Sequence, residues 1–184
     1  MGATATTGVR GVANTAYAFN GSSNYIWANL SPQATNQVSM SLWVNSSVMP
    51  PPSDKPIFSQ QNNNSDRFEL VPSSDGTLYF TVSNKSTAID TNLASFSTYI
   101  LSNTWTHVLV TVNSLGSGIY INGILRQSKT WTNGFVPNIT INAPMNFGKG
   151  FSAQWFNGSI DNIRMYNKAL SADEVMNIYN TEKP

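Results

Sequence analysis

The stretch Trp105–Ser128, "WTHVLVTVNSLGSGIYINGILRQS", decides the fold. Its first half alternates with a period of two: Val108, Val110 and Val112 fall on one face, and Trp105, His107, Leu109 and Thr111 on the other. Apolar residues on both faces predict a central strand that is covered on each side. Its second half holds Asn122-Gly123 between "GIYI" and "ILRQ". This pair can supply the two positive-φ residues of a type I′ turn, which predicts a hairpin.

The same pattern recurs in both directions along the chain. In "QVSMSLWVN", Val38, Met40, Leu42 and Val44 share one face, and Ser39, Ser41, Trp43 and Asn45 the other. Turn residues punctuate these runs: Asn-Gly pairs fall at Asn20, Asn133 and Asn157, and Asp75-Gly76 is expected to act as Asn122-Gly123 does. "SSVMPPPSDKPIF" lacks ladder donors at its prolines and reads as a crossover loop between strands. Short strands separated by turns predict an antiparallel sandwich or barrel. The one helix expected is C-terminal: Ser171 and Glu174 form a capping box, Leu170 and Val175 a hydrophobic staple, and Val175, Ile178 and Tyr179 an apolar stripe.

Composition narrows the function. The chain has 184 residues, suited to one domain, with Lys+Arg 10 against Asp+Glu 9. That balance provides neither the basic surface that nucleic acid requires nor a polybasic membrane patch. Cysteine is absent, which excludes disulfides and thiolate metal sites, and a single histidine cannot build a histidine cluster. "MGATATTGVRGVANTAYAF" has no charged segment followed by an apolar one, and no apolar run reaches membrane length. The chain is therefore expected neither to be exported by a signal of its own nor to insert into a membrane. Seven Asn-x-Ser/Thr matches, from Asn20 to Asn157, are what an Asn- and Ser-rich chain produces by chance.

Four segments, in order, carry a family likeness: "AYAFNGSSNYI", "SMSLWV", "WTHVLVTVNSLGSGIYINGIL" and "FNGSIDNIRMYNKALSADEV". Over residues 11–179 the chain resembles the laminin-G-like, concanavalin A-like jelly rolls. The resemblance implies an all-β, two-sheet antiparallel jelly-roll sandwich with one short C-terminal helix and with the first and last strands adjacent. Residues 1–10 are expected as an N-terminal arm, and residues 11–184 as the domain. It also implies a family that mostly binds glycans or proteins, some of whose members are glucanases. Family members often hold a structural calcium through the "F-[DN]-G" segment and the aspartate of "G-x-I-D", which here are Asn20 and Asp161.

Asn20 replaces a common aspartate, and the missing charge weakens a cation cage. Asp161 shares strand parity with Ile163 and Met165, whereas Ile160 lies on the opposite parity; a β-bulge beside Asp161 would repair this. Two readings of Asp161 stand side by side: it accepts backbone N–H groups at the sandwich edge, or it ligates Ca²⁺ together with Asn20.

For catalysis, the glucanase relatives use an E-x-D-x-E strand, and no such segment occurs here. His107, in strand context with no nearby aspartate to orient it, reads as a buried hydrogen-bonded residue. Aromatic side chains are the remaining candidates, because sugar C–H faces stack on rings while Asn and Ser bond hydroxyls. Among Tyr25, Trp27, Trp131, Phe151, Trp155 and Phe156, the loop-like context of "KTWTNGF" and "GKGFSAQWFNG" selects Trp131, Phe151 and Trp155 as ligand-binding residues on a shared rim. The expectation is a non-catalytic recognition or adhesion module on an extracellular or virion surface. Its partner is a glycan or glycoprotein; the alternative is a structural protein of a phage or virus particle, with capsid or fibre partners.

Overall fold

A computed structural model of the chain describes residues 2–30, 36–62, 66–84, 87–93, 98–131 and 143–184. In chain order the strands are β1 (Thr4–Thr6), β2 (Ala16–Asn20), β3 (Ile26–Ala28), β4 (Val38–Ser46), β5 (Phe58–Asn62), β6 (Asp66–Pro72) and β7 (Leu78–Asn84). They continue as β8 (Thr87–Leu93), β9 (Thr106–Val112), β10 (Gly116–Ile121), β11 (Ile124–Thr130), β12 (Met145–Phe147) and β13 (Asn157–Tyr166), followed by the helix α1 (Ala172–Glu182). Seven strands form one sheet, ordered β1-β2-β13-β4-β9-β10-β11, and six form the other, ordered β3-β12-β5-β6-β7-β8. All pairings between these strands are antiparallel. The expected two-sheet sandwich with one terminal helix is the fold.

The alternation read from the sequence explains how the sheets meet. Val38, Met40, Leu42 and Val44 of β4 and Val108, Val110 and Val112 of β9 all lie in one buried core with Phe58, Phe68, Leu70 and Phe80 of the opposite sheet. Three of those rings form a ladder, with centroids 5.3 Å apart for Phe58 and Phe68 and 5.5 Å for Phe68 and Phe80. The outward face of β4 and β9 is covered by α1, whose capping box and staple form as expected. Leu109, Tyr120, Leu170 and Val175 make a second buried cluster there. The seven-stranded sheet is thus covered on both faces. We call it the helix-covered sheet, and its six-stranded partner the open sheet.

Several turns differ from their sequence reading. Asn122 (φ 51) and Gly123 (φ 78) do form the two-residue hairpin. Beyond Asp75, however, only Gly76 has positive φ (81), and Ser73 N–H bonds the carbonyl of Thr77 at 2.9 Å, giving a longer loop between β6 and β7. The Asp75 carboxylate closes that loop by accepting from Thr77 N–H, so two left-handed residues are not needed. Asn157-Gly158 is not a turn but opens β13. Gly158 is required there by close approach, since a Cβ would stand 2.3 Å from the Asn45 carbonyl oxygen. Asn133-Gly134 lies outside the described residues. The N-terminal arm is part of the sheet, with β1 pairing along β2.

His107 is fully buried beneath α1, as its strand setting suggested. Its Nε2 shares a hydrogen bond of 2.8 Å with Ser41 Oγ, and its ring packs against Trp43 and Tyr179. Burial pushes its pKa down to about 4. The unfolded chain therefore binds a proton that the native one refuses between pH about 6.5 and about 4, so stability falls as pH falls through that window. Denaturant unfolding at pH 7 and pH 4.5 is expected to show a loss of roughly 2–3 kcal/mol from this group. The His107→Gln variant should lose correspondingly less than the parent; equal losses in both would contradict the assignment.

Candidate functional site

Among the described residues no helix lies on the outer face of the open sheet, and alternation decides what it presents there. Phe68 and Leu70 of β6 and Leu78, Phe80 and Val82 of β7 point inward. Arg67, Glu69, Tyr79 and Thr81, on the opposite parity, point outward. With Gln61 of β5 they floor a groove of about 510 Å³. The loop between β12 and β13 forms its wall through Phe151, Ser152 and Gln154, and Asp54 of the proline-rich crossover completes the rim. Phe151 is 56% exposed, an apolar ring beside a polar floor.

Neighbouring charges fix the floor. Arg67 Nη1 lies 3.6 Å from Glu69 Oε1. Tyr79 Oη donates to Asp75 Oδ2 at 3.0 Å, which raises the phenol's pKa above its ordinary value and leaves its oxygen as an acceptor. The Asp75 carboxyl is held below its usual range, chiefly by the Thr77 backbone N–H.

The loop that carries Phe151 is anchored at its base. Gly150 N–H bonds the Gln154 carbonyl at 2.8 Å, and Lys149 reaches both Tyr25 and Trp155, with Nζ 4.6 Å and 5.3 Å from their ring centroids. The two rings lie 5.9 Å apart.

Of the three aromatic residues read from the sequence, only Phe151 lines the groove. Trp155 is half-buried against Tyr25 and belongs to a separate pocket at the sandwich edge. Trp131 is a correction: it is 9% exposed, part of the main core, and its indole N–H donates to the Asn113 carbonyl at 2.7 Å. It follows β11, the edge strand of the helix-covered sheet, so it does not share a rim with the loop of Phe151. Phe156 is likewise core, whereas Trp27 is exposed on edge strand β3. The polar floor was missed, although "RFELV" and "LYFTV" alternate visibly.

Asn20 and Asp161 are a second correction. Asn20 is in register with Asn157, four residues before Asp161, so the two backbones lie roughly 13 Å apart along β13. Ca²⁺ ligands must each reach within about 2.6 Å of one ion, so these two do not fit a shared site. Their oxygens are already used. Asn20 Oδ1 accepts from the N–H groups of Ser22, Ser23 and Asn24, capping its own turn. Asp161 Oδ2 accepts from Val9 N–H at 2.9 Å and Oδ1 from Asn162 N–H at 2.7 Å. Among the described residues no group of three or more His, Asp or Glu is placed to hold a metal.

The expected bulge is present: the β13–β4 register shifts between Asp161 and Arg164, and Asn162 adopts φ 47. The shift brings Ile160, Ile163 and Met165 to the core together and turns Asp161 outward, not toward their face.

A family model for the concanavalin A-like lectin/glucanases superfamily matches residues 20–176, and the chain belongs to that superfamily. No protein of curated function matches the sequence. Among solved structures, the binding domain of Paraclostridial Mosquitocidal Protein 1 is similar with TM-score 0.75 and 22% identity, over 98% of this chain and 46% of that one. The ligand-binding domain of botulinum neurotoxin serotype D, in complex with N-acetylneuraminic acid, gives TM-score 0.74 and 18% identity, over 93% of this chain and 43% of that one. Domain 4 of AbnA, a GH43 extracellular arabinanase from Geobacillus stearothermophilus, in complex with arabinotriose, gives TM-score 0.65 and 22% identity, over 88% and 86%. The chain spans less than half of each toxin domain.

Replacing Asp161 by Ala leaves the N–H groups of Val9 and Asn162 without their acceptor, which is expected to cost roughly 3 kcal/mol in denaturant unfolding. The loss should be the same in calcium and in chelator. A loss seen only in calcium would restore the ion at this position.

Proposed function

We propose that the chain is a non-catalytic carbohydrate-recognition module that binds a glycan in the groove on the outer face of the open sheet. The observation that carries this reading is the pairing of an exposed ring, Phe151, with a floor of planar and hydroxyl-bearing side chains on rigid strands. The C–H face of a sugar ring stacks on Phe151. Its hydroxyls exchange hydrogen bonds with Gln61, Arg67, Glu69, Thr81 and Gln154, which offer donors and acceptors close together. Strands β6 and β7 are hydrogen-bonded to each other throughout, so the floor is fixed before the ligand arrives.

Two structurally similar domains were solved with sugars, arabinotriose and N-acetylneuraminic acid, which supports a saccharide ligand. A binding role also fits the chemistry of the groove. Hydrolysis needs one carboxylic acid and one carboxylate flanking the scissile bond. Of the two carboxylates in the groove, Glu69 is engaged by Arg67 and Asp54 stands exposed on the rim, and His107 lies buried under α1 beyond the other sheet.

Screening on a glycan array at high probe density, followed by calorimetric titration of the hits, tests this reading. Phe151→Ala is expected to weaken binding about tenfold, in line with a stacking contact of about 1–1.5 kcal/mol, without changing the thermal midpoint. Trp131→Ala should show the converse, with binding retained by the folded fraction but stability reduced by about 3–5 kcal/mol. No hit on a broad array, or hits indifferent to Phe151, would overturn the proposal.

A further inference from the structure

The loop between β12 and β13 has a second side. Where Phe151 and Gln154 face the groove, Trp155 and Phe156 face a separate pocket of about 200 Å³ at the end of the sandwich. Val48, Met49, Pro51 and Pro72 supply the rest of its apolar wall. A cavity of about 150 Å³ lined by apolar side chains accommodates benzene, so this one has room for a single ring and a small substituent.

The polar groups on the wall decide what that substituent is. The side-chain amide oxygens are engaged: Asn20 Oδ1 accepts from three backbone N–H groups and Asn157 Oδ1 from Ser47 Oγ, while Ser46 Oγ donates its hydrogen to the Val48 carbonyl. The donors are not. Lys55 is the single charged residue on the wall, and no carboxylate pairs with it among the described residues. The Asn157 amide NH₂ and the Trp155 indole N–H likewise have no acceptor among those residues. An apolar pocket whose side-chain groups without a partner are N–H donors, one of them cationic, selects an apolar group that bears an anionic acceptor.

We infer that this pocket is a second binding site, independent of the glycan groove, for a small organic acid: an aromatic or short aliphatic body lies against Trp155, Pro51 and Pro72, and its carboxylate accepts from Lys55 and Asn157. Water is held poorly between proline and aromatic walls, so the apolar body displaces it readily. The carboxylate stays at the polar margin, where Lys55 is only half-buried.

Benzoate titrated into the full chain, followed by the indole N–H resonance of Trp155, tests the inference; the Trp155→Phe variant assigns that resonance. A saturable shift is expected, with benzamide, its neutral isostere, binding about tenfold more weakly. Lys55→Met should bring benzoate down to the benzamide level with the thermal midpoint unchanged, because the Lys55 side chain makes no hydrogen bond or ion pair among the described residues. Phe151→Ala should leave benzoate binding intact, which separates this site from the groove. Absence of a saturable shift, equal affinity for benzoate and benzamide, full binding by Lys55→Met, or loss of binding in Phe151→Ala would each overturn it.

Discussion

Everything in this molecule depends on β13 being held between β2 and β4. The strand is paired along both edges, to β2 and to β4, which is buried at every position but Asn45. It joins segments far apart in sequence, so β2 and β13 must meet before the core is sealed. Two residues make that meeting specific. Gly158 admits the backbone of β4 to close range, and Asp161 collects the N–H of Val9 from the N-terminal segment. Gly8 is the matching piece: a Cβ there would stand 2.4 Å from Asp161 Oδ2 and 2.1 Å from Thr15 Oγ1.

The two sheets are then treated differently. Trp43 and His107 point out of the helix-covered sheet, and they need a lid. α1 provides it: Tyr179 stacks on Trp43 with centroids 5.8 Å apart, and the buried carboxylate of Glu182 accepts from the Trp43 indole at 2.9 Å. Arg164 pairs with the same carboxylate at 2.7 Å, so its charge is matched where water is largely excluded. On β6 and β7 of the open sheet the outward parity carries Arg67, Glu69 and Thr81 beside Val71 and Tyr79, a face that stands in solvent without a lid. A solvated, polar, rigid face beside an anchored aromatic loop is what a recognition surface requires. The main core lies between the sheets; beyond it, one sheet is sealed by a helix and the other leaves a groove open to solvent.

The sequence made the scaffold legible because strand alternation, the Asn122-Gly123 hairpin and the Ser171 capping box are local signals with one structural solution. The bulge at Asp161 was legible too, since Ile160 and Ile163 cannot both face inward on a regular strand. Site residues were harder to read, for a physical reason. Loop context does not determine exposure: Trp131 sits just past a strand, as a platform residue can, yet its ring turns inward and its indole finds the Asn113 carbonyl. Motif proximity does not determine distance either. The paired "FNGS" segments do lie side by side, but pairing Asn20 with Asn157 is what carries Asp161 away from it. The groove arises from parity across three strands and a distant loop, which only the assembled sheet brings together.

Arg10 adds one consequence. Its guanidinium bonds the carbonyls of Thr181 and Glu182, so the segment between β1 and β2 is tied to the last turn of α1 on the outer side of the helix-covered sheet. The groove opens on the opposite side. Helix lid and strand seam are thereby latched to each other at one corner, so loosening either is felt in the other and not in the groove.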